Sequence, residues 1–168
     1  MRYEDKLALA GYPIPSGEKR SDRPFEDGVQ AGDLIFVSGN AARVNGVLKY
    51  TGIVGDTVTL EEARDAARIC LVNCLRAVRD LTGSLDAVER IVNIKGYVAS
   101  TARFTAHPEV MNAASDLANT VFGEAGRHSR CAVGAASLPG GTPVEVEIVV
   151  KVKRAFRPDT SEAMRRSS

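Results

Sequence analysis

Residues 144–152, Val144-Glu145-Val146-Glu147-Ile148-Val149-Val150-Lys151-Val152, alternate between apolar and charged side chains almost without a break. Successive side chains on an extended strand point to opposite faces. Val144, Val146, Ile148, Val150 and Val152 therefore share one apolar face, while Glu145, Glu147, Lys151 and Lys153 share the other. An apolar face of this size has to be covered, and residues 59–82 hold a suitable cover. Thr59 with Glu62 three residues on is a capping-box pattern. Behind it, Leu60, Ala63, Ala67, Cys70, Leu71, Cys74, Leu75 and Val78 recur at helical spacing, with the charges on the opposite side. The pattern predicts a helix of about 20 residues, roughly 30 Å long, ending at Thr82-Gly83-Ser84.

The remaining elements read outward from these two. Asp33–Ser38 is a short apolar run closed by Gly39, and it predicts a buried strand. Asn45-Gly46 is a turn signal before a second strand over Val47–Tyr50. Val88–Ala99 alternates, with Val92, Ile94 and Val98 on one side and Asn93, Lys95 and Tyr97 on the other; Ile91 falls on the side of Asn93. Pro108 suits the first turn of a second helix. That helix buries Val110, Ala114, Leu117 and Val121 and stops at Gly123 and Gly126. Ser129–Ala136 is a strand, and Leu138-Pro139-Gly140-Gly141 a turn. The order β, β, long α, β, α, β, β predicts an α+β fold. Its architecture is a two-layer sandwich, a mixed or antiparallel sheet with two helices on one face. The other face carries Val149 between Glu147 and Lys151, with Ile91 beside Asn93. It is either solvated or packed against another subunit.

At 168 residues and 17.9 kDa the chain suits one domain. An N-terminal arm is expected over residues 1–23, which contain Pro13, Pro15 and a polar stretch. The domain proper is expected over 24–154, and a polar tail over 155–168. Arm and tail are expected to add little core, so the domain should fold without residues 1–20 or 158–168. The net charge is +1 with mixed signs along the chain, aromatics are 5% and tryptophan is absent. This argues against a nucleic-acid partner, which calls for a basic footprint or a stacking platform. No apolar run approaches a membrane span, and the first twenty residues are too acidic and too broken by proline for a signal peptide. Three cysteines, Cys70, Cys74 and Cys131, are an odd number at irregular spacing. They read as reduced thiols in a cytoplasmic protein.

Arg130 is a lone arginine in a strand rich in Ala, Gly and Val. Its planar fork either grips a carboxylate in two places or makes a surface or interface salt bridge. Glu145 and Glu147 share a strand face, either as an acid–base pair or as part of a solvated surface. Cys131, by strand parity on the Val133 side and opposite Arg130, reads as a buried structural thiol rather than a nucleophile. Cys70 and Cys74 lie one helical turn apart without ligand partners, so core packing outweighs metal binding. His107 and His128 lack companions at zinc-site spacing, and the glycines near Ser38 lack phosphate-loop spacing. No metal or cofactor is called for.

Three segments together resemble the RidA/YjgF family of small trimeric imine deaminases. The first is Pro24-Phe25, Gly28-Val29 and the GDLIFVSG run ending at Ser38-Gly39. The second is the helix opened by TLEEARDAA and continuing to Asn73-Cys74-Leu75. The third, and the most specific, is Arg130, Leu138-Pro139 and Val144-Glu145-Val146-Glu147. TGIVGDTVTLEEAR, HPEVMNAASDL and VFGEAGRHSR are similar to a sub-branch usually called RidA-like or "endoribonuclease L-PSP" proteins. The resemblance implies a chorismate-mutase-like fold and a homotrimer with sites between subunits. It also implies cofactor-free hydrolysis of enamine and imine forms of 2-oxo acids to keto acid and ammonia.

Carried over by position, Arg130 matches the arginine that binds the substrate carboxylate and Glu145 the glutamate that holds the attacking water. Ser38 and Gly39 match a loop lining the cleft, and Asn112 matches an asparagine near it. Phe25 stands where the deaminases have a tyrosine, and Ala132 where they have a cysteine; both fall in the implied substrate pocket. A 2-imino acid is already electrophilic, so orientation, a water and proton transfer suffice. The partner implied is a small 2-imino or 2-oxo carboxylate. Two functions stay open, an imine deaminase and a non-catalytic trimer that binds a small carboxylate or a protein; a ribonuclease role is a distant third at this charge.

Overall fold

The computed structural model describes residues 1–15 and 23–154; the tail expected over 155–168 lies outside them. A helix α1 (Tyr3–Leu9) precedes the strands β1 (Gly28–Ala31) and β2 (Leu34–Ala41). A hairpin of β3 (Arg43–Val44) and β4 (Val47–Leu48) follows, turning at Asn45 and Gly46, both at positive φ. Then come α2 (Leu60–Thr82), β5 (Val88–Ala99), α3 (His107–Phe122), β6 (Ser129–Ala135) and β7 (Val144–Val152).

Five strands form one mixed sheet in the order β1-β2-β7-β5-β6. Only β5 and β6 run parallel; the other pairs are antiparallel. Parallel neighbours need a crossover, and α3 provides it. Helices α2 and α3 pack on each other, α2 over β2 and β7 and α3 over β5 and β6. The inward residues of β7, Val144 through Val152 at every second position, are all buried. The α+β class, the mixed sheet and the helical layer on one face are as expected.

The long helix forms where its sequence places it. Thr59 Oγ1 accepts the Glu62 N–H at 3.3 Å, and Glu62 Oε2 accepts the Thr59 N–H at 2.8 Å. Gly83 closes the helix in the left-handed region at φ 80°. Cys70 and Cys74 are fully buried against β7, each sulfur near a β7 carbonyl, at 3.3 Å from Val144 O and 3.2 Å from Val146 O. Burial pushes both thiols well above their ordinary range. Neither should react with iodoacetamide in the native protein, read by mass spectrometry, while both should react in denaturant. Native labelling at the rate of a free thiol would show that α2 opens.

Three expectations are corrected. The arm expected over 1–23 contains α1, whose Leu7 is fully buried in the core and whose Tyr3 ring lies 4.4 Å from that of Phe122. Glu4 Oε1 accepts the Leu85 N–H at 2.7 Å, tying α1 to the turn between α2 and β5. Ile91, expected on the open face, is fully buried. The β5–β7 register shifts between Val88 and Arg90 and again between Ile91 and Asn93. Each extra residue reverses the parity that simple alternation assumes. Cys131, expected to be buried, is exposed, as is Val133. Its opposition to Arg130 holds, but Arg130 takes the helix side of β6, leaving Cys131 on the open face of the sheet.

Candidate functional site

Glu145 and Gly39 meet where β2 and β7 run together. The register skips between Val37 and Asn40, so Gly39 sits in a bulge of β2. A Cβ on Gly39 would collide with the Glu145 carboxylate, so only glycine leaves that carboxylate its place. The two line a cleft of about 650 Å³ together with Phe25, Asn40, Arg43 and Arg76. Phe25 is half exposed, with the Arg23 guanidinium 5.4 Å from its ring centre. Ser38 contributes support: its hydroxyl donates to the Glu26 carbonyl at 2.7 Å and so holds the Phe25 loop onto β2.

The two carboxylates expected as an acid–base pair differ in state. Glu147 is bound by Lys95 Nζ at 2.7 Å on the open sheet face. Glu145 makes no ion pair among the described residues. Burial, and then the charge of Glu147, raise its pKa above the ordinary carboxylate value. Arg76 beside the cleft is committed to Asp27 at 3.0 Å and Asp80 at 2.8 Å. Asn73 donates to the carbonyls of Ala41 and Arg43, both at 3.0 Å, fixing the chain that leaves β2 to α2.

Arg130 and Asn112 form a second group. Arg130 Nη1 donates to Asn112 Oδ1 at 2.8 Å and to Ser115 Oγ at 3.0 Å. Asn112 and Ser115 are three residues apart on α3, hence on one helix face. Both bonds use one nitrogen. The edge formed by Nε and Nη2 takes no described partner, and it is the edge a carboxylate grips in two places. Ala132 lies next along the same face of β6, partly buried opposite Gly96.

The groups of Arg130 and Glu145 are not adjacent in one chain. Arg130 pairs in register with Ile94 and thus shares the helix side of the sheet, whereas Glu145 pairs with Tyr97 on the open side. Two strand steps also separate them in the sheet order. The structure therefore joins Phe25, Gly39 and Glu145, with Ser38 behind them, and separately joins Arg130, Asn112 and Ala132. Ser115 and His128 are the residues missed in the second group. The signal was the spacing of His128, which stands just ahead of β6, and Arg130, the second residue of that strand.

A family model described as "YjgF/chorismate_mutase-like, putative endoribonuclease" matches residues 4–149. The chain belongs to this family. Protein TCP17 of Trypanosoma cruzi is 41% identical to it over 127 residues, which is 74% of this chain and 78% of that one. The crystal structure of Atu1372 from Agrobacterium tumefaciens, of unknown function, is 36% identical, with a TM-score of 0.83 over 90% of this chain and 93% of that one. A Shewanella oneidensis structure described as a "putative endoribonuclease" is 26% identical, with a TM-score of 0.85 over 90% and 100%. The YjgF match begins at Glu4 inside α1. Among the described residues no helix is long and apolar enough to cross a membrane.

Proposed function

We propose that this YjgF-family chain hydrolyses enamine and imine forms of 2-oxo acids to keto acid and ammonia, at sites completed between copies of a cytoplasmic homotrimer. The observation that carries the reading is the free fork edge of Arg130, held square by Asn112 and Ser115. It suits a small carboxylate and presents nothing suited to a larger polyanion. With the carboxylate fixed, the imine carbon is placed for attack, and an unpaired carboxylate of raised pKa such as Glu145 suits positioning water and moving protons. The net charge of +1 weighs against the ribonuclease activity in the family's description. The substitution of Phe25 and Ala132 for a hydroxyl and a thiol favours a second reading, a trimer that binds small carboxylates without turnover. Ammonia release from a freshly generated 2-imino acid, with and without the protein, decides between them.

The trimer rests on the open face of the sheet. Val29, Phe36 and Val149 lie in one cross-strand row there, with Val29 56% and Phe36 49% exposed. Val133 on the edge strand is 42% exposed. Large apolar side chains in a row on an uncovered sheet are stabilised by burial at about 25 cal/mol per Å². Light scattering at micromolar concentration should give three times the 17.9 kDa chain mass. A stable monomer would reject the trimer.

A further inference from the structure

Arg23, Arg43 and Arg76 all line the cleft that holds Glu145, and they differ in what they bind. Arg23 pairs with Asp27 at 2.9 Å, and Arg76 pairs with Asp27 at 3.0 Å and Asp80 at 2.8 Å. Arg43 forms no ion pair among the described residues. Its Nη1 donates to the Gly46 carbonyl at 2.9 Å, across the turn between β3 and β4. Its Nε and Nη2 take no described partner, so the guanidinium is steadied on one nitrogen and open on the other two. The Arg43 carbonyl accepts from Asn73 Nδ2 at 3.0 Å, which fixes the backbone beneath it.

The strand register brings this cation to Glu145. Ala41 lies directly across from Glu145 in the β2–β7 pair, and residues so opposed send their side chains to one sheet face. Ala42 is fully buried. Alternation therefore continues past the end of β2 and returns Arg43 to the side that Ala41 and Glu145 share. Two residues of extended chain advance about 7 Å. The Arg43 side chain sets out at that distance along the cleft, and Gly46, to which it bonds, lines the same cavity, as does Pro139.

We propose that Arg43 selects the substrate, a 2-imino diacid whose second carboxylate is held by the open N–H groups of Arg43. The proposal rests on the imine-hydrolase reading, with the first carboxylate on Arg130 of an adjacent copy and the imine at Glu145. Charge is laid out along the cleft to suit such a molecule. Glu145, which makes no ion pair among the described residues, attracts the imine nitrogen, cationic when protonated, and repels a carboxylate. The second carboxylate is thus directed away from Glu145, toward Arg43. Arg23 and Arg76 do not compete for it, because Asp27 and Asp80 already balance them. Nε and Nη2 form the edge of a guanidinium that grips a carboxylate in two places. The separation of about 7 Å is one that the carbon chain of a small diacid spans, and the cleft of about 650 Å³ has room for that chain.

The test measures ammonia release from freshly generated 2-iminoglutarate and 2-iminopropionate by the parent, Arg43→Gln and Arg43→Lys. In kcat/KM the parent should prefer the diacid, and Arg43→Gln should lower the ratio of the two substrates about 10–100-fold. Arg43→Lys keeps the charge without the fork and should recover part of the ratio. Calorimetry with 2-oxoglutarate and pyruvate reads the same preference without turnover. A parent that hydrolyses both imines alike overturns the diacid assignment and leaves the imine-hydrolase reading standing. Equal slowing of both imines by Arg43→Gln does the same, since a structural role moves both together. Loss of the trimer mass in Arg43→Gln would make Arg43 a contact between subunits and also overturn the assignment. A parent that hydrolyses neither imine, but binds 2-oxoglutarate more tightly than pyruvate and loses that preference in Arg43→Gln, overturns the hydrolase reading and upholds the diacid site. A parent that neither hydrolyses nor binds overturns both.

Discussion

Leu7→Ala should lower the unfolding free energy by about 2–5 kcal/mol, the usual range for removing a fully buried leucine side chain. Deleting residues 1–12 should cost more, because α1 is held at several points. Leu7 has no exposed surface, and Tyr3 stacks near Phe122. Glu4 caps the turn after α2, and the Tyr12 hydroxyl donates to Asp65 Oδ1 at 2.7 Å. Burial alone would raise the pKa of both Glu4 and Asp65. At Glu4 the Leu85 N–H, further backbone and Ser84 bonds and the charge of Arg2 together outweigh it, and at Asp65 the bonds from Lys49 and the two tyrosines with the charge of Lys49 do so, so both end below ordinary values. A carboxylate lowered by folding adds stability above its unfolded pKa and loses it as pH falls through the folded value. The gap between parent and deletion should therefore narrow on acidification below the ordinary carboxylate range. Urea melts at neutral and acid pH measure this; an unchanged neutral midpoint for Leu7→Ala would show that α1 lies outside the cooperative unit.

What was legible in the sequence follows from periodicity. Strand β7 and helix α2 bury long stripes at periods of 2 and 3.6, and their limits were readable almost to the residue. Helix α1 has seven residues and one buried side chain. A helix that short is marginal alone and exists through docking, which leaves no periodic trace. Strand β1, Gly28–Ala31, is too short and too poor in β-branched residues to stand out. The parity of Ile91 was lost to two bulges, which alternation does not encode. In β6 the alternation was right and the sides were inverted. Arg130, Ala132 and Gly134 face the helices, while Cys131 and Val133 face out, contrary to the rule that apolar means inward. Such an inversion on an edge strand is what a surface reserved for another chain would require. Of the candidate site, the individual residues were named from family spacing. Their separation onto two sheet faces was not, because it depends on β6 pairing parallel to β5 through α3.

Arg130→Ala should abolish both keto-acid binding and imine hydrolysis. Two charge-assisted bonds to a carboxylate in a desolvated cleft contribute about 3–5 kcal/mol, or roughly 10²–10⁴ in affinity. Arg130→Lys keeps the charge but replaces a rigid fork with one ammonium. It cannot reach Asn112 and Ser115 while presenting two parallel donors to a ligand, so it should also bind clearly more weakly. Glu145→Gln should spare binding and lower only the rate, since the amide keeps the shape and loses the proton chemistry. Equal keto-acid binding by the parent and Arg130→Ala would sink the anchor. The placement of Arg130 and Glu145 on opposite faces adds a sharper test. If each site takes its arginine from one chain and its glutamate from the next, neither variant alone has an intact site. When the two are unfolded together in equal amounts and refolded, random assembly should leave about one quarter of sites intact. Activity should return to that fraction of the parent. Mixed chains that assemble and remain inactive would mean that the site does not draw Arg130 and Glu145 from adjacent copies.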